Sequence, residues 1–169
     1  PMETTATLPN RTKSKPGNGI ISMLSLAGTL ISLFQTRQFF ETRSGMAAFK
    51  SFCNIGSSFD CTAIEMSPYA ELFKGFPLSV VAVAGYLTIF MLSLFAMSDA
   101  YKSASRKFIL AFSGIAVLFS ASYLYIMIGL IGKLCLLCLC VDAVNVLLLV
   151  FALRLPADDE HARSRMSFN

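Results

Sequence analysis

The sequence predicts an all-α membrane protein, a four-transmembrane-helix bundle with a long external loop between its first two helices. The first observation behind this prediction is composition, because 55% of the 169 residues are hydrophobic and only 14% are charged. A soluble domain carries about 25% charged residues, so the surface of this chain is not suited to water on every side. The second observation is a set of four stretches, almost free of charge, that are each long enough to cross a bilayer as a helix.

These four stretches predict helices because a chain that crosses lipid must satisfy its backbone hydrogen bonds within itself. The predicted helices span about residues 18–40, 75–98, 108–131 and 134–154. The first stretch could instead be a signal peptide, since it is preceded by Arg11, Lys13 and Lys15. However, no small-residue cleavage site follows it, which favours a helix that stays in the membrane.

The distribution of lysine and arginine predicts that both ends of the chain are cytoplasmic. The two tails and the loop between the second and third helices hold nine of these residues, whereas the other side of the membrane holds five. Positive charge accumulates on cytoplasmic loops, so this asymmetry sets the expected orientation. We therefore expect one membrane domain over residues 18–155, flanked by disordered cytoplasmic tails at 1–17 and 156–169.

The long external loop contains the signal for a short interfacial helix. Ser67 followed by Pro68 is typical of a helix start. Tyr69, Leu72 and Phe73 then share one apolar side, so we expect this helix to lie on the membrane surface. Two roles suit it: a cap that shelters a ligand bound in the bundle, or an anchor that only packs.

Charge and histidine content exclude several function classes. A net charge of +4 without a basic stripe does not indicate nucleic-acid binding. The single histidine, His161, rules out histidine triads and most histidine-based metal sites. Five cysteines remain as the reactive residues of the chain.

Four of these cysteines form two pairs on the non-cytoplasmic side, where disulfides persist. Cys135 and Cys138 form a Cys-X-X-Cys motif at the start of the fourth predicted helix. The partial positive charge of a helix N-terminus stabilises a thiolate and so makes the thiol a nucleophile. Cys53 and Cys61 lie in the facing loop, and two pairs on one side of the membrane are what a dithiol relay needs.

Zinc binding and structural disulfides are the two alternatives to a relay. A structural zinc site usually draws two close pairs from rigid turns, and the spacing of Cys53 and Cys61 suits such a site poorly. Two structural disulfides are also compatible with the sequence, but they leave the Cys-X-X-Cys spacing unexplained. The relay accounts for both spacings, so we predict a redox function and no metal.

The fourth helix carries a polar stripe below the redox pair. Cys135, Cys138, Asp142 and Asn145 follow one another at spacings of three, four and three residues, which places them on one helical face. A carboxyl in a membrane helix normally faces the bundle interior or a cavity. The stripe therefore predicts a site for an apolar molecule with a polar head, although Asp142 and Asn145 could instead only bond neighbouring helices. Cys140 points away from this face and is expected to pack.

Taken together, these residues resemble the vitamin K epoxide reductase family. The shared pattern is a Cys-(seven residues)-Cys loop, a Ser six residues later, and four helices with Cys-X-X-Cys opening the fourth. The matching elements cover roughly residues 50–150 and are Cys53, Cys61, Ser67, Phe76-Pro77-Leu78-Ser79, Tyr86, Cys135, Cys138 and Asn145. The DsbB-type enzymes have the reverse order, with Cys-X-X-Cys in the first external loop.

The resemblance implies a role for each matching residue. It implies that Cys135 and Cys138 are the active-site pair beside a quinone, with Cys138 reacting with the quinone. It implies that Cys53 and Cys61 carry electrons from a partner's dithiol to Cys135, through a Cys61–Cys135 disulfide. The residues expected near the quinone are Ser67, Phe76, Tyr86, Asp142 and Asn145.

Two departures from the animal enzymes favour the bacterial type. Animal members have Asn where this chain has Leu78 and Tyr where it has Asp142. Many bacterial members carry a thioredoxin-like domain after the fourth helix. No second Cys-X-X-Cys follows Leu153 here, so we expect a separate thioredoxin-fold protein as partner.

The predicted function is a quinone-dependent thiol-disulfide oxidoreductase of the bacterial inner membrane, with its cysteines on the periplasmic side. It would re-oxidise a DsbA-like partner, pass the electrons to ubiquinone or menaquinone, and so support disulfide formation. One alternative is a vitamin K epoxide or quinone reductase of the endoplasmic reticulum. Another, of a different class, is a non-catalytic membrane subunit with structural disulfides.

Overall fold

Four long helices form the bundle in the computed structural model, which describes residues 16–45, 53–54, 58–96 and 102–155. The elements are α1 (Pro16–Arg43), α2 (Cys61–Glu65), β1 (Glu71–Phe73), β2 (Phe76–Pro77), α3 (Leu78–Phe95), α4 (Lys102–Tyr125) and α5 (Leu136–Arg154). Helices α1, α3, α4 and α5 are each long and apolar enough to cross a membrane, which confirms the predicted fold class. The predicted tails lie almost entirely outside the described residues.

The outer faces of the long helices are apolar. Helix α1 packs along α3 and α5, and α4 packs on α5 and α3. Large apolar side chains remain exposed on the outside of this bundle, among them Met23, Leu30, Met91, Leu118 and Leu153. Exposed apolar surface of this extent suits lipid and not water.

Two buried clusters hold the bundle together, one towards each end. The first consists of Ile21, Tyr86, Ile89, Ile109, Val144, Leu148 and Ala152. The second surrounds the cysteines and consists of Cys53, Cys61, Ile64, Met127, Cys135 and Leu137. The cysteines are therefore part of the core at their end of the bundle.

A tight reversal joins α4 to α5 and sets the position of Cys135. The last turn of α4 widens into a π-helical segment, Ile126–Ile131, a distortion that is frequent at functional sites. Gly132 then adopts a left-handed conformation (φ 69°), which a residue without a Cβ adopts at no steric cost. The chain turns back within a few residues, so α5 begins directly beside the external loop.

The loop differs from the predicted surface helix in one respect. Only a 3-10 turn, Pro68–Ala70, forms after Ser67, and Leu72 and Phe73 belong to strand β1 of a small hairpin. The hairpin forms because Gly75 takes a positive φ of 85° at its tip and donates its N–H to Glu71 Oε2 over 2.7 Å. The helix prediction was therefore wrong beyond Ala70.

Candidate redox site

The loop cysteines are joined in a disulfide and held by local hydrogen bonds. Cys53 and Cys61 are bonded to each other, with their Cα atoms 5.8 Å apart, and both are fully buried. Asp60 caps helix α2 by accepting a hydrogen bond from the Ala63 N–H over 3.0 Å. Asn54 Oδ1 accepts one from the Cys61 N–H, also over 3.0 Å. These bonds fix the direction in which the Cys61 side chain points.

A short parallel bridge ties this loop to the residues before α5. The Leu134 N–H donates to Ser58 O over 2.9 Å, and the Asp60 N–H donates to Leu134 O over 3.0 Å. Each half of the bridge therefore lies next to one cysteine in the chain, Cys61 on one side and Cys135 on the other. The bridge places the disulfide directly over the Cys-X-X-Cys motif.

Cys135 is the residue that links the two pairs. Its Sγ lies 3.2 Å from Cys61 Sγ, and it has only 3% of its surface exposed. It also occupies the N-cap position of α5, where its sulfur accepts a hydrogen bond from the Cys138 N–H over 3.2 Å. The pKa of the Cys135 thiol is lowered, first by a hydrogen bond from the Cys138 thiol and then by backbone N–H groups, against the opposing effect of burial. Hydrogen bonds from the Cys138 thiol and from the first N–H groups of α5 thus favour the thiolate form of Cys135.

Cys138 lies one turn into α5 and faces a cavity. Gln35 of α1 approaches it from the opposite wall, with Gln35 Nε2 at 3.5 Å from Cys138 Sγ. Cys138 and Cys135 are both free thiols and both line this cavity. Cys140 is exposed on the outer surface of the bundle and does not belong to the site.

The cavity has a volume of about 420 Å³, which is in the usual range for a small-molecule site. Its walls are mostly apolar and include Phe39, Ile64, Leu78, Phe112 and Phe119. Its polar groups come from all four long helices and from the end of α2. They are Gln35, Glu65, Ser79, Tyr86, Ser120, Tyr123, Asp142 and Asn145.

A hydrogen-bond chain crosses the floor of the cavity. The Tyr86 hydroxyl donates to Asn145 Oδ1 over 2.7 Å, and Asn145 Nδ2 donates to Ser120 Oγ over 2.8 Å. The chain fixes the side chains of α3, α4 and α5 relative to one another. Asp142 lies on the same wall, and its buried Oδ2 has no hydrogen-bond partner among the described residues. That oxygen is available to a polar group of a ligand.

Seven of the nine predicted site residues lie together, and two lie apart. The four paired cysteines form one cluster, and Tyr86, Asp142 and Asn145 share the cavity with Cys135 and Cys138. Ser67 instead donates its hydroxyl to Ile64 O over 2.6 Å, and Phe76 is 44% exposed on strand β2. Neither of these two is among the described residues that line the cavity.

Four polar residues of the cavity were not predicted from the sequence, namely Gln35, Glu65, Ser120 and Tyr123. Glu65 follows Cys61 by four residues on α2, which places both on one helical face and is a signal that the spacing does contain. Gln35 begins the polar run Gln35-Thr36-Arg37-Gln38 in the second half of α1, and polar residues in membrane helices are by default candidates for function. Gln35 therefore stands on a helix without a cysteine, whereas Glu65 shares α2 with Cys61.

The sulfurs also bear on the zinc alternative. Cys53, Cys61 and Cys135 bring three sulfur atoms within 4.8 Å of one another, which is close enough for a metal site. However, Cys53 and Cys61 are bonded to each other, and a metal binds the thiolate form of cysteine. In this state the cluster is arranged for disulfide exchange and not for metal binding.

Comparison with known proteins agrees with this geometry. A family profile described as Vitamin K epoxide reductase family matches residues 19–153, which is most of the chain and includes all four paired cysteines. No curated protein matches the chain.

Proposed function

Because the chain belongs to the vitamin K epoxide reductase family, we propose that it re-oxidises a thioredoxin-fold protein and passes the electrons to a membrane quinone. Membership of this family makes the chain a quinone-linked thiol oxidoreductase, and its four apolar helices make it a multi-pass membrane protein. The proposal adds the redox partner, the direction of electron flow and the cellular compartment. The partner is a DsbA-like dithiol protein of the bacterial periplasm, and the acceptor is ubiquinone or menaquinone.

The observation that carries the proposal is the 3.2 Å distance between Cys61 Sγ and Cys135 Sγ. Disulfide exchange requires a thiolate to approach one sulfur of a disulfide. Here a thiol with a lowered pKa, Cys135, lies against one sulfur of the Cys53–Cys61 disulfide. The two pairs are therefore in contact for direct electron transfer.

The exchange runs in two balanced steps. When the partner has reduced the loop pair, the Cys61 thiolate attacks Cys135 of a Cys135–Cys138 disulfide, and Cys138 leaves as a thiolate. The Cys53 thiolate then attacks Cys61 of the new Cys61–Cys135 bond, and Cys135 leaves. The products are a Cys53–Cys61 disulfide and the thiolates of Cys135 and Cys138. These thiolates take up the two protons that the loop thiols gave up, which yields the disulfide and the two free thiols that the structure contains.

The lowered pKa of Cys135 gives this exchange a preferred direction. A thiol of lower pKa is the better leaving group in disulfide exchange. Since Cys135 is the leaving sulfur in the second step, the hydrogen bonds from Cys138 favour oxidation of the loop pair. Electrons therefore accumulate on the pair that lines the cavity.

The residues of the cavity suit a quinone. A quinone bound there would supply an acceptor for two electrons and two protons. The apolar walls would hold its ring, and Tyr86, Asn145 and the unpartnered oxygen of Asp142 would face its polar atoms. Cys138 lines the same space, with Gln35 Nε2 at 3.5 Å from its sulfur, which supports our assignment of the reaction with the quinone to this thiol.

The test is anaerobic quinone reduction by the purified chain in detergent, with a reduced DsbA-like protein as electron donor. We expect turnover in the wild type and in the control variant Cys140→Ala, whose cysteine is exposed outside the site. Cys138→Ala should abolish turnover with every donor. Cys53→Ala should abolish it with the protein donor but retain it with a small dithiol that reaches Cys135 and Cys138 directly.

The remaining outcomes would decide among the alternatives. Unchanged transfer from the protein donor in Cys53→Ala would contradict the relay. No turnover with any quinone or dithiol would favour structural disulfides. Vitamin K epoxide, offered as acceptor in a parallel reaction, separates the reductase alternative from the quinone-coupled one.

A further inference from the structure

Glu65 is a carboxyl group inside the cavity that the relay does not use. It is the last residue of α2, four positions after Cys61, and its side chain is half-buried. It lines the cavity together with Cys135 and Cys138, and its charge acts electrostatically on both thiols. Its Oε2 accepts a hydrogen bond from the Thr42 hydroxyl over 2.9 Å.

The surroundings of Glu65 favour a carboxyl that gains and loses a proton near neutral pH. Burial among apolar walls raises the pKa of Glu65 to about 7, and the Thr42 hydrogen bond acts in the opposite sense. Glu71 on the hairpin is a useful contrast, since its pKa is lowered by the hydrogen bond that it accepts from the Gly75 N–H and, to a smaller extent, by Arg43 at 3.0 Å. An acid–base group works best when its pKa is close to the working pH.

The groups that face Glu65 come from three helices. Helix α5 contributes Cys135 and Cys138, and α4 contributes Tyr123, whose phenol also interacts electrostatically with Glu65. Helix α1 contributes the Thr42 hydroxyl, while the neighbouring Arg43 is engaged by Glu71 and by the ring of Phe39. The thiols are therefore the exchange partners that the geometry offers to the carboxyl.

The chemistry of the cavity requires a group of this kind. Oxidation of a dithiol to a disulfide releases two electrons and two protons. Cys135 has only 3% of its surface exposed, so a group that shares the cavity with it is better placed than bulk water to take its proton. A base that shares the cavity provides the missing acceptor.

We propose that Glu65 carries the proton of Cys135 to the oxygen of the carbonyl compound that is reduced in the cavity. The inference rests on the proposed quinone reduction and assigns one of its two protons. The Glu65 carboxylate takes the Cys135 proton as the Cys135–Cys138 bond forms, and the carboxylic acid then gives that proton to the reduced quinone oxygen. The Cys138 thiol supplies the second proton, so the dithiol loses two electrons and two protons and the quinone gains both.

The test compares Glu65→Gln with Glu65→Asp and with the control Glu41→Gln. Gln keeps the size of the side chain and an oxygen that accepts from Thr42, so the fold should be retained. Glu41 is 41% exposed and paired with Arg37 within α1, away from the cavity lining. We expect Glu65→Gln to lower the kcat of quinone reduction by about 10²-fold, with KM little changed. Glu65→Asp should restore part of the rate, and Glu41→Gln should equal the wild type.

The dependence of kcat on pH distinguishes proton transfer by Glu65 from a role in packing alone, because a packing role would not change this dependence. Wild-type kcat should rise with pH through the titration of Glu65 near pH 7, because only the carboxylate accepts the Cys135 proton. Glu65→Gln should lack this step. The proposal would be overturned if Glu65→Gln had the kcat and the pH profile of the wild type. It would also be overturned if Glu65→Gln had a lower kcat that still rose with pH near pH 7.

Titration of the reduced, quinone-free protein separates this inference from the proposed function. The Glu65 carboxylate raises the pKa of Cys135, so Glu65→Gln should form the thiolate at lower pH, followed by thiolate absorbance. If the wild type reduced no quinone, the proposed function would fail. The titration would still show whether the charge of Glu65 acts on Cys135. Equal midpoints in the wild type and in Glu65→Gln would overturn the role of Glu65.

Discussion

The two ends of the bundle use polar side chains in different ways. At the end away from the cysteines, which we term the serine end, Ser22 Oγ lies 2.6 Å from Ser93 Oγ, and Asn18 Nδ2 donates to Ala96 O over 3.2 Å. These polar groups join one helix to the next. At the cysteine end, Glu65 lies in an apolar cavity and Asp142 keeps an oxygen without a partner among the described residues. At the serine end these polar groups only join helices, whereas at the cysteine end the cavity also holds polar groups that are left available for chemistry beside the bonds that join its helices.

This difference predicts that changes at the serine end lower stability without loss of function. Changes at residues shared by the two ends should lower both stability and activity. Tyr86 joins the two regions, since it belongs to the buried cluster of the serine end and also lines the cavity. A change that displaces Tyr86 should therefore damage both ends. A change confined to either end should affect stability alone or activity alone.

The largest effect is expected for Gly28→Ala. A Cβ at Gly28 would lie within 2.7 Å of three ring atoms of Tyr86, so the ring or the α1 backbone must move. We expect the free energy of unfolding to fall by about 1–3 kcal/mol, because added atoms in a packed core force such shifts. The KM for quinone should also rise, since Tyr86 positions Asn145.

Gly19→Ala is the matched control on the same helix. A Cβ there meets no described atom within 4 Å, and Ala is favoured over Gly in a helix, so stability should be unchanged or higher. Unfolding in mixed micelles measures both variants. Equal effects at the two positions would show that the close approach of α1 to Tyr86 is not needed.

The second prediction concerns Tyr86→Phe, which removes one hydroxyl and keeps the ring. Asn145 Oδ1 loses the hydrogen bond that it accepts over 2.7 Å, and a buried acceptor without a donor costs about 1–3 kcal/mol. We expect a lower free energy of unfolding and a higher KM for quinone, with kcat less affected. Tyr125→Phe, at a tyrosine that is 71% exposed, should change neither quantity.

These residues also show how far the sequence could predict the site. The line of Cys135, Cys138, Asp142 and Asn145 follows from helical periodicity, which is a local property of α5. Both the disulfide loop and its approach to Cys135 rest on contacts between distant segments. The two cysteine pairs predicted a relay, but only the resemblance to a family predicted that Cys61 and Cys135 are the residues that exchange. Glu65 reaches the cavity because the Ser58–Leu134 bridge holds α2 over α5, and no local pattern reports such a bridge.

In the hairpin, by contrast, a local sequence signal was present but was not sufficient to predict the structure. Ser67-Pro68 is a valid local signal for a helix start, and a 3-10 turn does form there. The signal says nothing about where the helix ends. Gly75 and the ion pair of Glu71 with Arg43 favour a reversal instead, so the helix stops after one turn.

A smaller effect is expected for Thr42→Val at the cysteine end. The variant removes the hydrogen bond that lowers the pKa of Glu65, so this pKa should rise above about 7. The rise of kcat with pH should then move to higher pH, by on the order of one pH unit. Stability should change little, because Thr42 lies at the end of α1 and Val keeps its volume.

Thr88→Val is the control for this shift, since Thr88 is exposed on α3 and bonds only Ala84 O of its own helix. Its pH profile should equal that of the wild type. An unmoved profile in Thr42→Val as well would mean that Glu65 does not set the pH dependence of turnover.

The smallest effect is expected for Ser93→Ala at the serine end. The variant removes the contact between Ser22 Oγ and Ser93 Oγ, which joins α1 to α3. Hydrogen bonds between membrane helices contribute about 0.6 kcal/mol on average, so the free energy of unfolding should fall by about that amount. Ser122→Ala is the control, because Ser122 is exposed and bonds only the backbone of its own helix. Quinone turnover and its pH profile should stay at wild-type values in both variants. A change in kcat in Ser93→Ala would mean that the serine end is coupled to the chemistry, and the separation of the two ends would then fail.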